Sequence, residues 1–151
     1  QHMRKMKVGK VTFTEAYKAV NEYRQKFPQK AVTFYAQNYP AMGWAVFMAG
    51  GSCPVIPCTD KAFLKDAAAM EVEETNTDEY KKMVKSDIGS IIYSKSETEI
   101  PVQLSSGKYV LKYIHPASGK IETINKSLKI NGLYNLKVPD KKEGIYWFHK
   151  L

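Results

Sequence analysis

Apolar residues alternate with polar ones along the second half of the chain, which is the two-residue period of a β-strand. In residues 107–124, Tyr109, Leu111 and Tyr113 alternate with Val110, Lys112 and Ile114 on the two faces of one stretch, and Pro116 and Gly119 separate it from a second stretch. Proline presets the backbone of a turn and glycine tolerates the left-handed conformation, so the two stretches are predicted to form a hairpin.

Similar short stretches surround this hairpin, at residues 88–94, 99–104, 126–130, 132–138 and 144–151. Turns are predicted between them at Ser105-Ser106-Gly107 and at Asn131-Gly132, and Pro101 is expected at an edge of the sheet. About seven short strands with regularly spaced turns are typical of a sandwich. Residues 79–151 are therefore predicted to form a small antiparallel β-sandwich.

The first half of the chain follows a helical period instead. Thr12 and Glu15 fit a capping box. An apolar stripe at spacings of three and four then runs from Phe13 to Phe27, and Pro28 ends the predicted helix.

Two further helices are predicted after this one. Residues 41–49 are apolar on every face and stop at Gly50-Gly51, which indicates a buried helix. The next helix is predicted from Lys61 to about Met70, with Thr59 or Asp60 as its N-cap.

Short extended segments at residues 31–36 and 54–57 lie between the helices, and residues 71–79 have the acidic composition of a linker, with one more helical turn at 80–84. The predicted fold class is therefore α+β: a helical βα segment over residues 1–78, then the sandwich. Two parallel strands cannot bury themselves. The missing strands are expected from the second half, from a partner chain or second copy, or from a longer parent protein.

The chain has 151 residues and a net charge of +8. Its lysines are scattered over many predicted elements and its arginines are Arg4 and Arg24, so the charge is interpreted as a solvated surface. No nucleic-acid partner is expected, although a basic surface-binding protein stays open as a third hypothesis. No apolar run is long enough to cross a membrane, and no membrane partner is expected.

The cysteines and histidines leave two interpretations open. Cys53 and Cys58 either form a disulfide across a short loop, which suits a periplasmic or secreted protein, or are two small buried thiols. His2, His115 and His149 lie far apart in the sequence, so no metal or other cofactor is expected.

No catalytic residue is assigned, because the acidic residues cluster in the predicted linker or on turns rather than as a facing pair. The most suggestive cluster follows the predicted strand at 31–36, where ligands of α/β proteins bind. Amides can bind sugar hydroxyls and aromatic faces can cover sugar rings. The predicted substrate-binding residues are Tyr35, Gln37, Asn38, Tyr39 and Trp44.

Each aromatic residue predicted to contact a sugar has an alternative interpretation. Tyr39 and Trp44 can instead belong to the core, with Asn38 as a helix cap. In the same way, Tyr109, Tyr113 and Trp147 form either a sugar-stacking strip or part of the core.

Several motifs together resemble a known group of proteins. They are Gly-Trp-Ala-Val-Phe-Met-Ala-Gly-Gly at 43–51, Phe-Leu-Lys-Asp-Ala-Ala-Ala-Met at 63–70, Ser-Asp-Ile-Gly-Ser-Ile-Ile-Tyr-Ser at 86–94, Gly-Lys-Tyr at 107–109, His-Pro-Ala-Ser-Gly-Lys at 115–120 and Tyr-Trp-Phe at 146–148. The chain resembles the C-terminal end of (β/α)₈-barrel glycoside-hydrolase-like proteins of polysaccharide-degrading bacteria. There the last barrel helices lead into a small β-sandwich, sometimes labelled as a collagen-binding domain.

This resemblance implies a carbohydrate context and a periplasmic or secreted location. It carries over no catalytic residue, because the acids of that group lie on earlier barrel strands, which this sequence does not contain. Nothing in the residues themselves argues for collagen binding. The sequence thus predicts a C-terminal part or accessory module of a carbohydrate-active protein that is not catalytic by itself. The alternative is a standalone sugar- or protein-binding β-sandwich.

Overall fold

In a computed structural model of the protein, residues 11–34, 41–96, 99–139 and 142–151 are described. The chain divides into two compact units, Gln1–Val55 and Ile56–Leu151. The helices α1 and α2 belong to the first unit, and one helix and six strands belong to the second. The fold is therefore α+β with a sheet-rich C-terminal part. The boundary predicted between residues 78 and 79 falls inside the second unit.

Helix α1, Phe13–Lys26, begins at the predicted capping box. The Thr12 hydroxyl accepts a hydrogen bond of 3.2 Å from the amide of Glu15, and the Glu15 carboxylate accepts one of 2.8 Å from the amide of Thr12. These bonds satisfy two amides that have no partner inside the helix. The predicted start and end of α1 are confirmed to within one residue.

Helix α2, Ala41–Met48, is also confirmed, and its described side chains are buried as its uniform apolar sequence predicts. The βα interpretation of the preceding segment is not confirmed. Residues 31–34 are not a strand, since the carbonyl of Val32 accepts from the amide of Ser52 at 2.7 Å instead of entering a sheet. Residues 54–57 are not a strand either.

The second unit begins with helix α3, Lys61–Ala69, whose N-cap is Asp60. The Asp60 Oδ1 accepts a hydrogen bond of 2.8 Å from the amide of Phe63. The strands follow in chain order: β1 Glu71–Glu73, β2 Tyr80–Lys85, β3 Gly89–Ser94, β4 Glu99–Ile114, β5 Ile121–Lys137 and β6 Gly144–Lys150. They form one antiparallel sheet in the order β1-β2-β3-β6-β4-β5.

Two sequence predictions are wrong in this unit. The acidic segment predicted as a linker begins with strand β1, and the segment predicted as a helical turn at 80–84 lies in β2. The pairing between β1, β2 and β3 explains both outcomes, since backbone hydrogen bonds to a neighbouring strand outweigh weak local preferences.

The turns predicted at Ser105-Ser106-Gly107 and Asn131-Gly132 are also wrong, because both segments lie inside the long strands β4 and β5. Leu104 pairs with Gly132 and Gly107 with Ile130, so two residues of β4 face the single residue Asn131. This is a β-bulge, which bends a strand without ending it. The strands thus remain in one sheet, and a sandwich of two separate sheets is not confirmed.

Bending at the bulge brings the first half of β4 towards β2. The amide of Ser105 donates to the carbonyl of Ser86 at 2.7 Å, and Lys82 Nζ donates to the carbonyl of Pro101 at 3.1 Å. The curled sheet encloses a core made largely of its own side chains, among them Ile92, Ile100, Val102, Leu104, Tyr109, Tyr146 and Phe148.

Side chains that alternate with this core on β6 point towards α3. The ring of Trp147 meets the ring of Phe63 edge-on at 5.3 Å between centroids, and both residues are fully buried. Both faces of the central strand β6 are therefore covered, which fits its aromatic sequence.

Both cysteines are free, so the disulfide alternative is wrong. Cys58 is buried, as the thiol alternative predicts, whereas Cys53 is exposed and has a positive φ of 52°.

Candidate functional site

A shallow groove of about 380 Å³ opens beside the β4–β5 bulge. We call it the bulge groove, and its lining residues are Ser106, Gly107, Lys108, Lys129, Ile130 and Asn131. The extra residue of β4 turns the Ser106 side chain across the pair of strands, where its hydroxyl donates to Asn131 Oδ1 at 2.7 Å. The volume lies in the range of small-ligand sites.

Two lysines stand opposite each other in the bulge groove. Lys108 of β4 and Lys129 of β5 are direct cross-strand partners, and both are exposed. Cross-strand partners project from the same face, about 5 Å apart at their Cβ atoms. No hydrogen bond or ion pair joins either ammonium group to another residue in the part of the chain that the structure describes.

A third lysine, Lys150 of strand β6, pairs with the buried Tyr109 and so projects from the face of the sheet opposite to Lys108. Lys150 Nζ donates to the Ser105 hydroxyl at 2.8 Å. Its stem passes close to Gly107, where a Cβ would lie 3.1 Å from Lys150 Cε. The two lysines of the groove make its local field positive, and its hydroxyl and amide groups add polar contacts.

A second polar cluster surrounds Tyr113, near the ends of β3, β4 and β6. The Tyr113 hydroxyl donates to the carbonyl of Glu143 at 2.9 Å, and the Tyr93 hydroxyl donates to the carboxylate of Glu143. The Tyr113 ring lies 5.4 Å from the ring of Tyr146. The Tyr146 hydroxyl is buried and has no hydrogen-bond partner among the described residues.

Burial raises the pKa of the tyrosines in this cluster. It raises the pKa of Tyr146 to about 12, and that of Tyr93 also rises, with further help from the Glu143 carboxylate. The pKa of Tyr113 rises for the same reason, since a phenolate in a poorly solvated place loses its hydration. All three rings are therefore neutral at neutral pH and can act as hydrogen-bond donors.

A third cluster is centred on the buried carboxylate of Asp66 on α3. Its Oδ2 accepts a hydrogen bond of 2.9 Å from the indole Nε1 of Trp147 and lies 2.7 Å from His149 Nδ1. Lys112 Nζ lies 4.4 Å from the centroid of the Trp147 ring, a cation–π distance. These contacts fasten α3 to the central strand, so this cluster is structural.

The predicted substrate-binding residues are only partly described. Tyr35, Gln37, Asn38 and Tyr39 lie outside the described residues, so the predicted cluster cannot be placed as a whole. Trp44 is 2% exposed, and its ring packs edge-on against Phe47 at 5.5 Å.

For the aromatic residues of the second half, the core alternative is confirmed. Tyr109, Tyr113 and Trp147 are 0%, 6% and 0% exposed, so they offer no stacking surface to a sugar. Tyr109 and Tyr113 belong to the core of the curled sheet, whereas Trp147 packs against Phe63 of α3, a cover that the sequence alone does not show.

The bulge groove is not among the sites predicted from the sequence, although its residues carry a signal. The sequence predicts two separate turns, at Ser105-Ser106-Gly107 and at Asn131-Gly132. In the structure these two segments face each other and form one β-bulge. A glycine and a small polar residue at matching positions of two paired strands is also the pattern of a bulge.

Among the described residues, no group of three or more histidine, cysteine, aspartate or glutamate side chains is arranged to hold a metal ion. None of the described helices has the length and apolar character needed to cross a membrane.

The model of a family described as a domain of unknown function, DUF6298, matches residues 1–70 of the chain. The match extends through the first unit and α3 and ends before strand β1. No curated protein matches the chain significantly.

Among solved structures, the chain is similar to a protein described as a glycoside hydrolase. The similarity has a TM-score of 0.40 at 13% identity, over 52% of this chain and 19% of that protein. The chain thus corresponds to about a fifth of the length of that protein. Neither match concerns the collagen-binding type of domain, which stays a prediction.

Proposed function

We propose that this chain is a C-terminal part or accessory module of a carbohydrate-active protein, and that it binds carbohydrate without hydrolysing it. The observation that carries the proposal is the bulge groove, which is open, lined by polar groups and of about 380 Å³. A groove of this size accommodates one or two sugar rings, whose hydroxyls need donors and acceptors such as those of Ser106 and Asn131.

The most prominent carboxylates near the sheet are already engaged. Glu122 Oε1 lies 3.0 Å from Lys120 Nζ and 3.2 Å from His115 Nε2, and the Lys120 hydrogen bond lowers the pKa of Glu122. Glu143 holds Tyr93. Because Glu122 and Glu143 interact with neighbouring side chains of the same chain, we propose no role for either of them in cleaving a glycosidic bond.

Calorimetric titration of the whole chain with soluble polysaccharides tests the proposal. We expect saturable binding to at least one polymer and no release of product from aryl glycosides. A matched variant, Asn131→Ala, removes the amide of the groove while leaving the lysines, and it should weaken binding about fivefold. Binding that is unchanged in this variant would locate the sugar elsewhere on the chain, and hydrolysis would contradict the non-catalytic role.

Three predictions from the sequence remain proposals of the same kind. From the predicted cluster Tyr35, Gln37, Asn38, Tyr39 and Trp44, the segment 35–39 is proposed as a second sugar-contacting segment, whereas Trp44 is 2% exposed and packs inside the first unit. A longer parent protein, a partner chain or a second copy is proposed to complete that unit. A periplasmic or secreted location is proposed, because polysaccharides are found outside the cytoplasm.

A further inference from the structure

We propose that the bulge groove selects acidic polysaccharides, and that Lys108 and Lys129 together bind a carboxylate or sulfate group of the sugar. This inference rests on the proposed carbohydrate binding and deepens it by naming the class of carbohydrate. The cross-strand position of the two lysines carries it.

Like charges directly opposite each other on neighbouring strands destabilise a sheet. Lys108 and Lys129 are such a pair, and no carboxylate among the described residues neutralises either one. The position opposite a lysine on the neighbouring strand can hold a neutral or acidic residue. On these same two strands, Glu99 lies opposite Lys137. An anion bound between the two ammonium groups attracts both of them and offsets their mutual repulsion. The unfavourable pairing of the two lysines therefore favours the binding of an anion.

The other lining groups suit a sugar that carries this anion. Ser106 and Asn131 are joined to each other through one hydrogen bond, which leaves the amide NH₂ of Asn131 as a donor towards the groove. The side chain of Ile130 is 4% exposed and belongs to the core, so the exposed side chains of the lining are polar or charged. Charged and polar groups thus lie together in the groove lining, and a sugar acid carries partners for both.

The number of charges favours a single anionic group over a nucleic acid. Lys108 and Lys129 line the groove, whereas Lys150 projects from the other face of the sheet and donates to the Ser105 hydroxyl. Proteins that bind nucleic acids through the backbone commonly make about six to ten phosphate contacts. Two lysines on one cross-strand pair match one carboxylate or sulfate.

Calorimetric titration with matched pairs of polymers tests the inference. Polygalacturonate is compared with its methyl-esterified form, and dextran sulfate with dextran, so that each pair differs in charge. We expect each acidic polymer to bind about tenfold more tightly than its neutral partner, with affinity that falls as salt is raised. Tighter binding of polygalacturonate than of dextran sulfate indicates a carboxylate ligand, and the reverse order indicates a sulfate ligand.

The key variant is Lys129→Glu, and its control is Lys126→Glu, the same change of charge on the same strand outside the groove lining. Lys129→Glu should weaken binding of the acidic polymer about tenfold and at the same time raise the urea midpoint, because it converts the like-charge pair into an opposite-charge pair. A variant that is more stable but binds less cannot owe its defect to misfolding. Lys129→Arg should retain affinity within about twofold.

Each other outcome overturns the inference in a distinguishable way. Equal binding of acidic and neutral polymers leaves the proposed function intact and removes the charge selection. Equal losses in Lys129→Glu and Lys126→Glu remove the groove as the site. Failure of every polymer to bind overturns the proposed function as well, and equally tight binding of a single-stranded oligonucleotide overturns the choice of carbohydrate.

Discussion

The carboxylate of Asp66 accepts a hydrogen bond of 2.9 Å from the indole Nε1 of Trp147, and both residues are buried. Asp66 lies on α3 and Trp147 on the central strand β6, so one contact joins the helix to the middle of the sheet. Since Asp66 Oδ2 also lies 2.7 Å from His149 Nδ1, the buried charge is compensated by two neighbours.

Replacing this carboxylate should strongly destabilise the second unit. Asp66→Ala leaves the Trp147 N–H buried without an acceptor, and we expect the free energy of unfolding to fall by about 3 kcal/mol. Asp66→Asn should cost less, because the amide oxygen can still accept from the indole. Urea titration followed by tryptophan fluorescence measures both changes.

The control lies on the same helix. Asp60→Ala removes only the N-cap bond to Phe63 and should cost about 1 kcal/mol. If Asp66→Ala costs no more than Asp60→Ala, the buried carboxylate does not fasten α3 to the sheet.

A second prediction concerns the glycine at the start of β6. A Cβ at Gly144 would lie 2.0 Å from the ring of Tyr113, a buried side chain that cannot move aside easily. Gly144→Ala should therefore destabilise the protein by about 3 kcal/mol. At Gly107 the nearest atom is 3.1 Å away and belongs to the flexible Lys150 side chain, so Gly107→Ala should cost less than about 1 kcal/mol. Thermal unfolding of the two variants compares them, and equal losses would refute the packing argument.

The hydroxyls of Tyr146 and Tyr113 should respond in opposite ways to phenylalanine substitution. Tyr146→Phe removes a buried hydroxyl that has no partner among the described residues, so stability should be unchanged or rise by up to about 1 kcal/mol. Tyr113→Phe removes the hydrogen bond to the carbonyl of Glu143 and should lose about 1 kcal/mol. Parallel urea titrations decide this, and a loss of stability in Tyr146→Phe would show that its hydroxyl is paired.

The raised pKa of Tyr146 predicts a loss of stability at alkaline pH. In the unfolded chain a tyrosine releases its proton near pH 10, whereas in the folded protein the pKa of Tyr146 is about 12. The unfolded state therefore gains charge first, and the contribution of Tyr146 to stability declines as pH rises from about 10 to about 12. Urea midpoints measured across this window should fall less steeply for Tyr146→Phe than for the wild-type protein. Parallel slopes would contradict the prediction.

The free thiols should differ sharply in reactivity. Cys53 is exposed, whereas Cys58 is buried and burial raises the pKa of its thiol. Titration with a chromogenic disulfide reagent should modify one thiol of the native protein rapidly and the second only on unfolding. Cys53→Ser should remove the rapid phase and Cys58→Ser should leave it. Two rapid phases in the native protein would show that Cys58 is accessible.

The elements that the sequence predicted well depend on neighbouring residues in the chain. The capping box of Thr12 and Glu15 and the N-cap at Asp60 are local signals, and helices α1 and α3 begin where these signals place them. The strands at residues 88–94 and 144–151 were likewise found from their own alternation.

The features that the sequence did not predict depend on pairing between distant segments. Gly107 and Gly132 look like turn residues in isolation, and only the register of β4 against β5 makes them part of a bulge. Lys108 and Lys129 likewise become neighbours through that register alone. The bulge groove was missed for the same reason, and so was the cover that α3 provides over Trp147.

Strand β5 stands at the end of the sheet order and pairs with β4 alone, over seventeen residues. An uncovered strand of that length can recruit a strand from another molecule and so seed aggregation. Lysines on an edge strand disfavour such pairing, and Lys126, Lys129 and Lys137 lie on β5. Lys129 lines the bulge groove as well, so a substitution that neutralises it affects both the proposed ligand site and the protection of this edge.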